Sequence, residues 1–119
     1  MERKTLIIIP TYNERENIEA IIAAIHEKVA HAEILVVDDG SPDGTGDIVE
    51  AAGQKDGRIH LLRRAGKLGL GTAYLAGFQY ALERDYERVF EMDADFSHDP
   101  AYLRPMLEAA ESADMVVGI

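Results

Sequence analysis

The sequence predicts a three-layer α/β fold with a mostly parallel sheet, and three observations predict it. Five short apolar runs read as strands, and the first two are β-branched and stopped abruptly by Pro or by an Asp-Gly-Ser turn. Helix-period stretches lie between them, which calls for right-handed crossovers. No internal repeat, low-complexity tract or linker interrupts the alternation, so residues 1–119 are one structural unit.

The first strand is Leu6-Ile7-Ile8-Ile9, ended by Pro10, and the second is Glu33-Ile34-Leu35-Val36-Val37, ended by Asp38-Asp39-Gly40-Ser41-Pro42. Arg58-Ile59-His60-Leu61-Leu62, Arg88-Val89-Phe90-Glu91-Met92 and residues 114–118 supply the other three. The first helix places Ile18, Ile21, Ile22, Ile25 and Val29 on one face, with Asn13 as its cap and Glu16 three residues on. A weaker helix spans residues 47–52. In the third, Leu70, Ala73, Tyr74, Gly77, Phe78, Ala81 and Leu82 repeat the spacing, and the Tyr74, Phe78, Leu82 stripe is core. A fourth helix starts at Asp99-Pro100, a cap followed by proline at the first helical position, with Pro105 inside it.

Composition excludes several classes. With no cysteine there is neither a disulfide nor a thiolate metal site, so a metal must be held by oxygen or imidazole. A formal charge of −10 argues against nucleic acid as a partner, and anionic ligands need a local site or a divalent cation. The apolar runs are far shorter than the roughly 18 residues of a membrane span, and Met1-Glu2-Arg3-Lys4 opens no signal peptide. This part of the chain reads as soluble. A chain of this length ending on a strand-like run, Met115-Val116-Val117-Gly118-Ile119, reads as part of a larger domain.

In open α/β sheets ligands bind beyond the carboxyl ends of the strands, and there the chain is strongly polar. Pro10-Thr11-Tyr12-Asn13-Glu14 follows the first strand, Asp38-Asp39-Gly40-Ser41-Pro42-Asp43-Gly44-Thr45 the second, and Asp93-Ala94-Asp95-Phe96-Ser97-His98-Asp99 the fourth. Asp93 and Asp95, two apart, can turn toward one cation, and hard carboxylate oxygens suit Mg²⁺ or Mn²⁺ with substrate phosphates and water. Spacing alone leaves the turn-and-cap reading of these aspartates equally open. Asp38 and Asp39 are adjacent carboxylates that repel each other; a ligand offering N–H or hydroxyl donors, such as a nucleobase with its ribose, relieves that repulsion, while a solvated turn is the plainer alternative. Gly66-Lys67-Leu68-Gly69-Leu70-Gly71-Thr72 precedes a helix and offers a weak phosphate signal, better explained by glycines for close helix packing. His98 reads as a loop residue, and His26, His31 and His60 as structural.

Taken in order, Ile9-Pro10-Thr11-Tyr12-Asn13-Glu14, Val37 to Thr45, Gly69-Leu70-Gly71-Thr72-Ala73 and Met92 to Pro100 resemble the dolichol-phosphate (polyprenol-phosphate) mannose synthases of glycosyltransferase family 2. The resemblance covers essentially the whole chain. It implies a GT-A fold, truncated here to the nucleotide-sugar-binding part, with Pro10, Tyr12, Glu14, Val37, Asp38 and Asp39 around the donor nucleotide. Asp93, Ala94 and Asp95 would hold the donor diphosphate and metal, Asp93 and Asp95 being the catalytic and metal-ligating pair. It further implies a hexosyltransferase that moves mannose from GDP-mannose to a polyprenyl phosphate with inversion, working in the cytoplasm at or anchored to the membrane surface when full length. The acceptor-binding half and the basic residues that follow the fifth strand in that family lie beyond Ile119.

Other readings remain at this level. A UDP-glucose-dependent member of the same family, acting on a lipid phosphate or polysaccharide, fits equally, because an aspartate accepts from a uracil or a guanine imide. A receiver-type signalling domain shares the length and layout, but needs its acidic pair after the first strand, where Pro10 stands. A haloacid-dehalogenase-type phosphatase would use Asp93-Ala94-Asp95 as nucleophile and acid, but after its first strand rather than its fourth.

Overall fold

A computed structural model describes residues 4–66, 69–92, 94 and 117–118. The elements run β1 (Thr5–Thr11), α1 (Ile18–Lys28), β2 (Glu33–Asp38), α2 (Thr45–Lys55), β3 (Ile59–Arg63), α3 (Leu70–Glu83), β4 (Arg88–Glu91) and β5 (Val117–Gly118). The strands form one sheet in the order β3-β2-β1-β4-β5, and each neighbouring pair is parallel. The expected fourth helix and most of the fifth strand lie outside the described residues.

Strands buried on both faces read as unbroken apolar runs, and the central pair shows why. Leu6 through Ile9 and Ile34 through Val37 are fully buried. Alternate residues go to opposite faces: Ile7, Ile9, Ile34, Val36 and Phe90 meet Ile18, Ile21, Ile22 and Ile25 of α1 and Val49 of α2. Leu6, Ile8, Leu35, Val37 and Val89 meet Ala73 and Ala81 of α3, with Tyr74, Phe78 and Tyr80 packed around them. Helices therefore cover both faces, as expected. Where α3 crosses β1, Gly77 lets the backbones approach: a Cβ there would lie 2.7 Å from Ile8 side-chain carbons.

Several boundaries differ from the sequence reading. Pro10 does not end β1 but lies within it, opposite Val37. The first helix is not capped by Asn13 and Glu16; it starts at Ile18 with Asn17 in the cap position. Asn13 sits at φ 57°, and the backbone N–H groups of Asn13 and Glu14 bond to Ser41 and Thr45 of the next loop, so tertiary partners replace the local cap. The weak second helix extends to 11 residues, Thr45–Lys55, and Gly44 at φ 90° turns the chain left-handed immediately before its start. Leu82 is not core: it is 66% exposed, because the face toward the sheet is the narrower Ala73-Gly77-Ala81 line. A Cβ at Gly66, Gly69 or Gly71 would meet nothing within 4 Å among the described residues, and the close contact falls at Gly77 instead.

Candidate functional site

Strand order reverses between β1 and β4, and a crevice opens at such a reversal beyond the carboxyl ends. Pro10 helps to make it. Ile8 accepts from the Met92 N–H at 3.0 Å; two residues on, Pro10 faces the same way and has no N–H to continue the ladder. The β1–β4 register accordingly ends at Ile8 and Glu91, just before the acidic segment. Asp93 and Asp95, the expected metal ligands, lie outside the described residues, as do Lys67 and His98. Ala94 is 3% exposed and belongs to the core under α1.

Asp38 and Asp39, side by side at the end of β2, point to different partners. Asp38 is 2% exposed. Its Oδ1 accepts from Thr11 Oγ1 at 2.7 Å and Ser41 Oγ at 2.6 Å, and its Oδ2 from the Ser41 N–H at 3.0 Å. Asp39 is gripped by Arg64, Nε to Oδ1 at 2.6 Å and a terminal nitrogen to Oδ2 at 2.8 Å. The expected repulsion between the two carboxylates is thus met from within the chain: one is hydrogen-bonded, the other ion-paired. A ligand is not required for that balance.

The loop 39–45 in turn braces the loop after β1. Ser41 Oγ accepts from the Asn13 N–H at 2.9 Å, Thr45 Oγ1 from the Glu14 N–H at 3.1 Å, and Asp43 Oδ2 from the Arg15 N–H at 3.1 Å. Arg15 also donates to the Asp43 carbonyl at 3.2 Å. Against a desolvation cost, donors from Thr45 and Arg15 hold the Asp43 carboxyl below its ordinary range. Ser41, Asp43 and Thr45 thereby fix the backbone around Tyr12, which follows β1 and is 38% exposed. Pro10 and Glu14 are half-buried. Val37 is fully buried under α3, so a ligand at this edge would meet its backbone and not its side chain.

Among the described residues, His26 and His60 lie away from this edge. His60 Nε2 bonds Glu33 Oε1 at 2.8 Å and His26 Nε2 bonds the Ala32 carbonyl at 3.0 Å, both structural as expected. Among the described residues no group of three or more His, Cys, Asp or Glu is arranged to hold a metal. The residue that sequence reasoning missed is Arg64. Its signal was present: Arg63 and Arg64 are adjacent cations at the end of β3 in a chain of net charge −10, at the edge where the acids collect. Arg63 goes outward to Asp47 and Glu50, and Arg64 inward to Asp39.

Comparison with known proteins agrees with this layout. A mannosyltransferase from Pyrobaculum calidifontis, solved with GDP-Man and Mn²⁺, superposes with a TM-score of 0.59 at 28% identity, over 68% of this chain and 25% of that one. Its likeness gives the sheet and helices the GT-A arrangement. A polyprenol monophosphomannose synthase from Mycolicibacterium smegmatis is 49% identical over 98% of this chain and 44% of its own length. An undecaprenyl-phosphate mannosyltransferase from Micrococcus luteus is 48% identical over 97% and 47%. The chain therefore spans somewhat under half the length of these relatives. Residues 6–119 match the glycosyl transferase family 2 profile, and the chain belongs to that family.

Proposed function

We propose that this chain is the donor-binding portion of an enzyme that moves mannose from GDP-mannose to a polyprenyl phosphate with inversion, assisted by Mn²⁺ or Mg²⁺. The observation that carries the proposal is 49% and 48% identity, over nearly the whole chain, to two enzymes whose names specify mannosyl transfer to polyprenyl phosphates. The structural neighbour was solved with GDP-Man and Mn²⁺, which supports the donor and a divalent cation.

The residues fit such a cation. In a chain without cysteine, with Asp38 and Asp39 already engaged by protein donors, the acidic pair that follows β4 in the sequence is Asp93 and Asp95, whose hard carboxylate oxygens would suit Mn²⁺ or Mg²⁺. When bound, the cation neutralises charge building on the departing diphosphate. Tyr12 offers a half-exposed ring against which a base can stack, Asp39 an acceptor for its imide N–H, and Pro10, Glu14, Val37 and Asp38 the braced frame around them. Ala94 brings backbone between the two ligands. A lipid phosphate is already ionised at neutral pH, so its oxygen attacks the anomeric carbon without a strong general base. The protein's contribution is alignment and stabilisation of the leaving group. Because the acceptor is a lipid, the reaction belongs to the membrane surface; among the described residues no helix is long and apolar enough to cross it.

Calorimetric titration with GDP tests the donor site. Binding should require Mn²⁺ or Mg²⁺ and fall at least tenfold in Asp93→Asn. Tight binding without a cation, or tighter binding of UDP than GDP, would overturn the metal or the base assignment respectively.

A further inference from the structure

Resting on the reading of Asp39 as acceptor for the base, we propose that Arg64 is the positioning residue of the nucleobase site, fixing the Asp39 carboxylate and tying it to the first turn of α3. An aspartate carboxylate rotates easily about its last torsion, and a single point charge beside it would balance its charge without setting its plane. Arg64 does set it. The guanidinium presents two parallel N–H groups, one to each oxygen, at 2.6 and 2.8 Å, a geometry an ammonium cannot reproduce. Both side chains are withdrawn from solvent, Arg64 at 11% and Asp39 at 7%, so water does not substitute for the pairing.

Two of the three remaining N–H donors of Arg64 are used elsewhere. One terminal nitrogen reaches Thr72 Oγ1 at 3.0 Å, and the nitrogen that binds Asp39 Oδ2 also reaches the Gly69 carbonyl at 3.1 Å. Thr72 Oγ1 itself donates to the Gly69 carbonyl at 2.9 Å. The Arg64 backbone N–H donates to the Asp38 carbonyl at 2.8 Å, so main chain and side chain are both anchored to the loop after β2. The Arg64 guanidinium therefore ties the acidic loop to Gly69 and Thr72 at the start of α3. Charge balance alone would need none of the α3 contacts.

The test compares GDP, ADP and pyrophosphate binding, each with Mn²⁺, in the full chain and three variants whose folding is checked by circular dichroism. Guanine presents an N–H where adenine presents a bare ring nitrogen, so the GDP to ADP affinity ratio reads the base acceptor, and pyrophosphate reads the rest of the site. The unaltered chain should prefer GDP by about tenfold or more, equivalent to about 1.4 kcal/mol. Arg64→Lys, which keeps the charge and loses the fork, should bring that ratio close to one with pyrophosphate affinity changed less than about twofold. Thr72→Val, which keeps the Asp39 pair and loses the α3 tether, should lower the ratio by about threefold. If Asp39→Asn abolishes the preference while both Arg64→Lys and Thr72→Val retain it, Arg64 only balances charge and the inference fails. If Asp39→Asn retains the preference, the base-acceptor reading fails first, and the positioning role with it.

Discussion

At the amino ends of the strands, Glu33 gathers His60 Nε2 and Tyr86 Oη onto one oxygen, each at 2.8 Å, with Lys4 Nζ 4.3 Å from the centre of the Tyr86 ring. At the carboxyl ends, Asp38 at the end of β2 and Asp39 and Asp43 in the loop that follows are held by hydroxyls, backbone N–H groups and Arg64. The backbone differs as well. Among the described residues, four of the five with positive φ, Asn13, Gly40, Gly44 and Gly69, lie on the carboxyl side, and Asp85 alone on the other. Unusual backbone and self-braced acids together mark an edge shaped for something other than stability. The amino-edge cluster joins Glu33 of β2 and His60 of β3 to Tyr86 just before β4, and Glu33 bonds both of the other side chains.

The largest expected effect is at Asp38. Replacing it with Asn turns an acceptor-only group, serving Thr11 and Ser41 at 2% exposure, into one whose amide N–H groups face other donors. Urea denaturation should show a loss of about 3 kcal/mol, and GDP affinity should drop with it because the brace around Tyr12 loosens. A stable Asp38→Asn protein would mean that the carboxyl edge is not self-braced, and the contrast between the two edges would collapse.

How much of this could be read beforehand depends on whether the deciding interaction is local. The apolar runs of β1 and β2 are legible because burial on both faces leaves a pattern in the residues themselves. The acid clusters are legible because strand ends locate ligand sites. The start of α1 is not: Asn13 and Glu16 spell a local cap, but Ser41 and Thr45, about 30 residues away, take the N–H groups that the cap would serve. Leu82 was misread for a related reason: Gly77 brings α3 so close to Ile8 that only a narrow stripe is covered. The Arg63-Arg64 pair marks cations at the acidic edge, but the sequence carries no sign of which acid each arginine meets. The partner is set by the pairing of β2 with β3, which aligns Asp38 with Arg63 and so brings Asp39 beside Arg64.

The second test strikes the opposite edge. Glu33→Ala removes the shared acceptor and leaves the hydroxyl of Tyr86, a residue 5% exposed, without its partner. The expected loss is about 1–2 kcal/mol, with GDP affinity unchanged once folded protein is compared with folded protein. Weaker nucleotide binding in Glu33→Ala would show that the two edges are mechanically coupled through β2 and are not the independent regions contrasted above.

The smallest effect separates the edges by pH. Burial first, and then the hydrogen bond to Glu33, push the Tyr86 hydroxyl above its ordinary range. The folded protein therefore keeps a proton that the unfolded chain releases near pH 10. For an acid raised in this way the associated stability is fully present below the unfolded value. It is lost as pH rises above that value, at up to about 1.4 kcal/mol per pH unit, until the folded group also ionises. Stability measured by urea between pH 9 and about 11 should therefore fall less steeply in Tyr86→Phe than in the unaltered chain. Near neutral pH the substitution costs only the one hydrogen bond, about 1 kcal/mol. Tyr80 is raised in the same direction by burial, so a residual alkaline slope should persist in Tyr86→Phe and shrink further when Tyr80→Phe is added. Identical slopes with and without Tyr86 would mean that the amino edge opens to water before the rest of the fold, and that the carboxyl edge, with its buried ion pair, is the more durable of the two.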